Sequence, residues 1–362
     1  MKMPIKLALV SCLGISAQAA LLFMGAYPNS VIVFDEAQGK VIDRIPLTTG
    51  LPTAIRLSND KKQIFVTTND NSGIEVIDVA SRKVVNHFVL NTATKRYRFT
   101  GGTPDPTGKF FYTMTTELTK LVDHFEVGKA KYAVIDIEGQ KISKTFDVAK
   151  EDESANGGGF GRGGFEISPD GKYLYQFRNN VLIIDTSDFK VIERIDLSKP
   201  ELTSVENIGF GGQLDSIREP GMFVSLFNSS DPIVHNRVFG IARFDLTTRK
   251  VDYTPIGPAP PAMAGLMITN DKKDAFTVVS TGSLGNKRCE FWHINMANSK
   301  LESTAEFSCK SRFSFGMSAD AKKLYIYGAN FEIEVYDAAT LKYERTWDLN
   351  NDITMAGLII VD

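Results

Sequence analysis

The chain has 362 residues, 43% of them hydrophobic and 23% charged, with a formal net charge of −2. That balance belongs to a globular protein long enough to bury a large core. It lacks the basic excess that nucleic-acid partners require, so nucleic acid is excluded as an expected partner.

The N-terminus reads as a secretory signal peptide over residues 1–19. Lys2 and Lys6 form the positive end, Leu7 to Ile15 is an apolar run too short to span a bilayer, and Ala17-Gln18-Ala19 matches a cleavage site. Cutting after Ala19 takes the formal net charge from −2 to −4 and sends the protein to the periplasm or the medium, with no transmembrane segment left. A competing signal is Leu9-Val10-Ser11-Cys12, a lipidation box with almost no apolar run before it. Either way Cys12 is lost to the core. Cys289 and Cys309 remain, on what read as consecutive antiparallel strands about two residues off direct opposition, and a disulfide between them is expected.

Beyond the signal the chain repeats. Short β-branched and aromatic runs end in an acidic or amide residue at Asp35, Asp78, Asp136, Asp185, Asp245, Asn295 and Asp337, every 42–60 residues. The side chain at that place caps the backbone of a tight turn, so these groups are expected to be structural. A second turn recurs upstream: Ser58-Asn59-Asp60, Asp105-Pro106-Thr107-Gly108, Ser168-Pro169-Asp170-Gly171, Thr269-Asn270-Asp271 and Ser318-Ala319-Asp320, with Glu219-Pro220-Gly221 as a degenerate copy. The clearest unit, Gly164 to Leu197, alternates strand and turn to give four strands. One such meander has two open edges and must pack against others of its kind. The last copy lacks its first turn. The chain ends in an apolar strand, Ala356 to Val361, and the mature chain begins with another, Leu21 to Tyr27. The expected fold is therefore all-β: a seven-bladed β-propeller over residues 20–362. Each blade has four antiparallel strands, and the last is closed by one C-terminal and three N-terminal strands. One short helical turn is expected within Leu118 to Phe125.

The copies at 57–90, 164–197 and 317–349, with their S-P-D-G-K turn and V-x-V-I-D run, resemble the YVTN-type seven-bladed β-propellers over nearly all of the mature chain. That family is similar to the propeller (beta or heavy) subunits of periplasmic quinohemoprotein and methylamine dehydrogenases, and to lactonase-type propellers. The resemblance implies a non-catalytic binding or structural subunit of an amine-dehydrogenase-like redox assembly. The alternative it leaves is a lactonase-like hydrolytic enzyme with loop Arg and His residues at the channel mouth. No functional motif of either group carries over residue by residue. Two tryptophans, Trp292 and Trp347, are too few for a quinone propeller with a docking Trp in each blade.

The long insertions fall in two classes of connection that open on one face. Between blades they are Asn91 to Gly102, Ala149 to Gly163, Ser198 to Gly212 and Gly257 to Ala264. Between second and third strands they are Thr115 to Ala130, Asn228 to Arg237 and Ser280 to Lys287. Elaborated loops on a rigid scaffold carry function, so this face is expected to bind a partner subunit or small ligand. The candidate ligand-binding residues there are Arg96, Tyr97, Arg98, His124, Arg162, His235 and Arg237. Arg can hold a carboxylate or phosphate through a bidentate fork, and His can exchange protons near neutral pH. His87 and His293 fall on strands and are expected to pack. No catalytic residue, cofactor or metal is assigned. The run Gly159-Phe160-Gly161-Arg162-Gly163-Gly164 leads into a strand rather than a helix, which removes the helix N-terminus a dinucleotide needs. There is no Cys/His zinc spacing, haem motif or G-x-S-x-G elbow.

Overall fold

The computed structural model describes residues 20–68, 73–153, 164–177, 180–199, 206–210, 221–231, 233, 236–310 and 312–361. The signal segment, Arg162 and His235 lie outside them. The described chain forms seven antiparallel sheets arranged as the blades of a propeller. Blade 1 comprises Pro52–Leu57, Gln63–Thr68, Gly73–Asp78 and Lys83–Val89. Blade 2 comprises Lys95–Pro104, Phe110–Lys120, Phe125–Asp136 and Lys141–Asp147. Blade 3 holds Gly164–Ile167, Tyr173–Phe177, Asn180–Asp185 and Val191–Asp196, and blade 4 holds Glu206–Phe210, Met222–Ser230, Arg237–Asp245 and Val251–Pro258. In blade 5 the first strand is broken into Ala262–Met263 and Met267–Ile268, followed by Asp274–Thr281, Arg288–Asn295 and Lys300–Phe307. Blade 6 is Ser314–Met317, Lys323–Tyr327, Glu332–Asp337 and Tyr343–Asp348.

Blade 7 closes the ring. Ile353–Val361 pairs with Leu21–Ala26, in the register Leu21 to Val361 and Leu22 to Ile360, and Ser30–Asp35 and Lys40–Pro46 complete the sheet. Mating the two ends pairs edges that would otherwise stay open.

The repeated turns form as their residues require. In blade 3, Ser168 Oγ donates to Asp170 Oδ1 at 2.7 Å and accepts the Tyr173 N–H at 2.9 Å. The same hydroxyl and carboxylate lock the turns at Ser58/Asp60 and Ser318/Asp320. The residue after the Asp, or after Thr107 in blade 2, is left-handed: Gly108, Gly171, Lys61, Lys272 and Ala321 all have φ between 59° and 73°. At the second turn, Asp78 Oδ1 accepts the Ser81 N–H at 2.8 Å, and Asp337 Oδ1 accepts that of Thr340 at 2.9 Å. Serine or threonine hydrogen bonds hold both carboxyls below the usual carboxylate range.

The core lies between blades. Tyr112, Met114 and Tyr132 of blade 2 pack on Phe165, Leu174 and Leu182 of blade 3, and Phe23, Val31 and Val33 of blade 7 pack on Ile55, Ile64 and Val66 of blade 1. Each blade buries both faces this way, which accounts for the continuous apolar runs of the second and third strands. A disulfide joins Cys289 to Cys309 with their Cα atoms 5.3 Å apart. Cys289 pairs with Phe307, so the bond is diagonal, and Cys309 lies two residues past the strand end.

Three local expectations are corrected. Lys95 to Arg98 belong to the first strand of blade 2 rather than to a loop. The insertion Thr115 to Ala130 is a hairpin that continues two strands; residues 121–124 form its turn, closed by Leu121 N–H to His124 O at 2.8 Å, with no helical turn there. Thr115, Thr116 and Thr119, with Phe125 and Val127 opposite, favour extended backbone, and this overrides the helical preference of Leu118 and Leu121. His87 lies exposed on the outer strand of blade 1 and does not pack, whereas His293 stacks on Phe276 with ring centroids 4.8 Å apart.

Candidate functional site

A cavity of about 430 Å³ opens between blades 1 and 2. Its walls are the first two strands of each blade, with Gly164 of blade 3 at its margin. Three arginines are among its lining residues: Arg56 from blade 1, and Arg96 and Arg98 from blade 2. Among the described residues, no aspartate or glutamate lines it. Phe65, Phe99 and Phe111 supply apolar surface, and Thr53, Thr67, Thr68, Asn91 and Tyr97 supply polar groups.

The strand geometry explains the grouping. Arg96 is opposite Leu118 and Arg98 opposite Thr116, so the two arginines share one face of the sheet at a spacing of two. The strand is then irregular between Thr100 and Thr103, where Gly101 and Gly102 have φ of 68° and 152°. A Cβ on Gly102 would meet the Phe111 ring at 2.4 Å, so only glycine lets the backbone approach that ring. Thr113 Oγ1 donates to Gly101 O at 2.7 Å and fixes the bend.

The charges around the cavity are ordered. Glu117 pairs with Lys95 at 2.7 Å, which holds its carboxyl below the usual range. Tyr97 also bonds Glu117; burial first, then that carboxylate, raises the phenol. Lys95 thus neutralises Glu117 beside the cavity. Arg96 lies over the Phe125 ring, 6.0 Å from its centroid. Among the described residues, no carboxylate lies within 4.0 Å of the Arg56 guanidinium. Its charge is felt by Glu166 of blade 3. Glu166 keeps part of its surface accessible but is enclosed by protein, and that desolvation raises its carboxyl against the opposing pull of Arg56.

The wall on the blade 1 side is held by a buried chain. Thr68 Oγ1 donates to Thr49 O at 3.0 Å and meets Thr49 Oγ1 at 2.9 Å. Thr49 Oγ1 donates to Glu75 Oε1 at 2.9 Å, and that oxygen also accepts the Thr48 and Thr49 N–H groups at 2.6 and 2.7 Å. Glu75 is fully buried, and its Oε2 has no hydrogen-bond partner among the described residues.

Of the residues singled out from sequence, Arg96, Tyr97 and Arg98 meet at this cavity. His124 does not: it is exposed in the turn of the blade 2 hairpin, with Nδ1 2.7 Å from Asp123 Oδ1. Arg237 is exposed in blade 4, where its Nη2 donates to Asn228 Oδ1 at 3.0 Å. Sequence reasoning missed Arg56. The signal was present, because Arg56 and Glu166 each stand two residues before the turn Ser, where blades 5 and 6 carry Met267 and Gly316. A charge at that place in two blades marks an interior that is not wholly apolar.

No family model matches the chain, and no curated protein matches it. Solved structures do. A functionally unknown protein from Desulfotomaculum acetoxidans DSM 771 is similar with a TM-score of 0.56 and 12% identity, over 94% of this chain and 98% of that one. Dihydro-heme d1 dehydrogenase NirN, in complex with DHE, is similar with a TM-score of 0.52 and 16% identity, over 94% of this chain and 75% of that one. Apo AztD from Citrobacter koseri gives a TM-score of 0.50 and 13% identity, over 95% and 98% of the two chains. At such identities the likeness concerns architecture, and by it this chain is a seven-bladed β-propeller.

Proposed function

We propose that this chain is an exported, non-catalytic binding propeller whose cavity between blades 1 and 2 takes a small anionic ligand with a planar or apolar body. The observation that carries the reading is the convergence of Arg56, Arg96 and Arg98 on one cavity that, among the described residues, no carboxylate lines. Three cations at one cavity repel one another, and an anion that joins them relieves that repulsion. A carboxylate or phosphate forks onto guanidinium, and the phenylalanine walls take the remainder of the molecule. The test is a thermal-shift and calorimetric screen of aromatic and aliphatic carboxylates and phosphate esters. A binder should raise the melting temperature with concentration, weaken with salt, and lose about 10-fold or more in affinity in Arg56→Gln. Binding of neutral or cationic compounds only, or affinity unchanged in Arg56→Gln and Arg96→Gln together, would overturn it.

We further propose a role for the chain as a subunit of a redox assembly. It is supported by the exposed apolar tip of the blade 2 hairpin, where Val122, Phe125 and Val127 face solvent beside the cavity, and where a partner subunit would contact the ligand site. The hydrolytic alternative retains one observation, the raised carboxyl of Glu166 next to Arg56. Turnover of lactones by wild type and not by Glu166→Gln would favour it.

A further inference from the structure

We infer that blade 5 carries a site for a first-row divalent metal cation, formed by Asp274, His293 and Glu302. One ligand atom from each of the three residues lies within 4.8 Å of the other two. His293 Nε2 is 2.7 Å from Asp274 Oδ1, and its Nδ1 is 3.4 Å from Ser303 Oγ. The ring is held flat on Phe276, so its orientation is fixed. An imidazole nitrogen with carboxylate oxygens, and a second contact on the other ring nitrogen, is the donor set that suits zinc and its neighbours.

The repeat itself shows that these residues are not what the blade requires. The residue facing the turn-capping Asp or Asn across the second and third strands is Leu21, Gln63, Phe110, Tyr173, Met222 and Lys323 in the other blades; only blade 5 has an acid there, Asp274 facing Asn295. The place of His293 is filled by Val33, Val76, Val134, Ile183 and Val335 in five of them. Glu302 is the extra residue of the bulge between third and fourth strands, which turns its side chain toward the face carrying Asp274 and His293.

Blade 6 shows what the position holds. There Lys323 occupies the place of Asp274, and its ammonium pairs with Asp337 and with Glu344, the bulge residue equivalent to Glu302. The blade thus seats a cation between carboxylates at this point. In blade 5 the lysine is replaced by Asp274, the valine by an imidazole, and Asp337 by Asn295, which donates to Glu302 Oε1 at 2.6 Å. Among the described residues neither Asp274 nor Glu302 pairs with a lysine or arginine, so a cation between them would come from outside the chain. Partial exposure of Asp274 and His293, with Glu302 exposed, leaves it a path in.

The experiment uses the mature chain without an affinity tag, stripped with chelator and titrated with zinc, then with cobalt as an absorbing probe. Uptake of ~1 equivalent with cobalt bands of an N/O site is expected. His293→Gln and Glu302→Gln should each weaken it at least ~10-fold. Asp274→Lys places the lysine of blade 6 beside Glu302, with Asn295 where blade 6 has Asp337, so it should fold and take up no metal. Controls at His87→Gln and His124→Gln should bind as wild type does. No uptake by wild type, or equal uptake by Asp274→Lys, overturns the inference.

Discussion

Blades 2 and 3 are built on the same repeat and differ in length. The strands of blade 3 have 4, 5, 6 and 6 residues, and its buried faces are spent on its neighbours. The first three strands of blade 2 have 10, 11 and 12. The shared part packs in the same way in both, with Tyr132 edge-on to Phe165 across the boundary at 6.5 Å. The added length projects past that core and carries Arg96, Arg98 and the glycine bend to the cavity. Within one repeat, then, the segment buried between blades determines stability, and the overhang is free to hold charge.

That contrast can be broken most forcefully at the shared core. Phe165→Ala should cost about 3–5 kcal/mol in urea unfolding, as expected for deleting a fully buried ring. If it costs less than about 1 kcal/mol, the inter-blade core is not what holds the two blades. Next is the buried chain behind the cavity wall. Thr49→Val leaves Glu75 and Thr68 each short of a partner and should cost about 1–3 kcal/mol, with weaker anion binding in the same variant. A stable Thr49→Val with intact binding would separate that chain from the site.

A third measurement addresses Glu166. Its native carboxyl is raised, so the folded protein holds the proton to higher pH than the unfolded chain does. The contribution to stability is therefore largest in acid and is lost as pH rises from the ordinary carboxylate range through the raised native value. Glu166→Gln should match wild type in acid, exceed it at neutral pH, and bind the anionic ligand more tightly once Arg56 has no neighbouring charge. Parallel stability curves for the two proteins would show that Glu166 is not desolvated. The smallest effects lie in the turns. Ala321 adopts φ of 60° where blades 2 and 3 have Gly108 and Gly171. Ala321→Gly should gain at most ~1 kcal/mol, and Gly171→Ala should lose ~1 kcal/mol or somewhat more. Equal melting temperatures for both variants would mean that the turns tolerate a side chain at no cost.

Much of this was legible in the sequence because the information is local. Alternating strand and turn, the capping Asp at each turn and the apolar ends at Leu21 and Val361 fix the blades and the closure, since each depends on neighbours within a few residues. The Cys289–Cys309 pair was legible for the same reason, lying across one hairpin. Arg96, Tyr97 and Arg98 were visible as a charged cluster, but their strand conformation was not. The alternation Arg96-Tyr97-Arg98-Phe99 is only four residues long and runs into Thr100-Gly101-Gly102, which reads as a loop.

The sequence by itself determined how many blades there are and how the ring is sealed, because hydrogen-bonded meanders follow from apolar period and turn chemistry alone. Only the tertiary structure decided which charges meet. Arg56 and Arg98 are 42 residues apart, and Glu166 lies in a third blade. They come together because radial packing sets successive first strands side by side around one axis, a juxtaposition that no local pattern encodes.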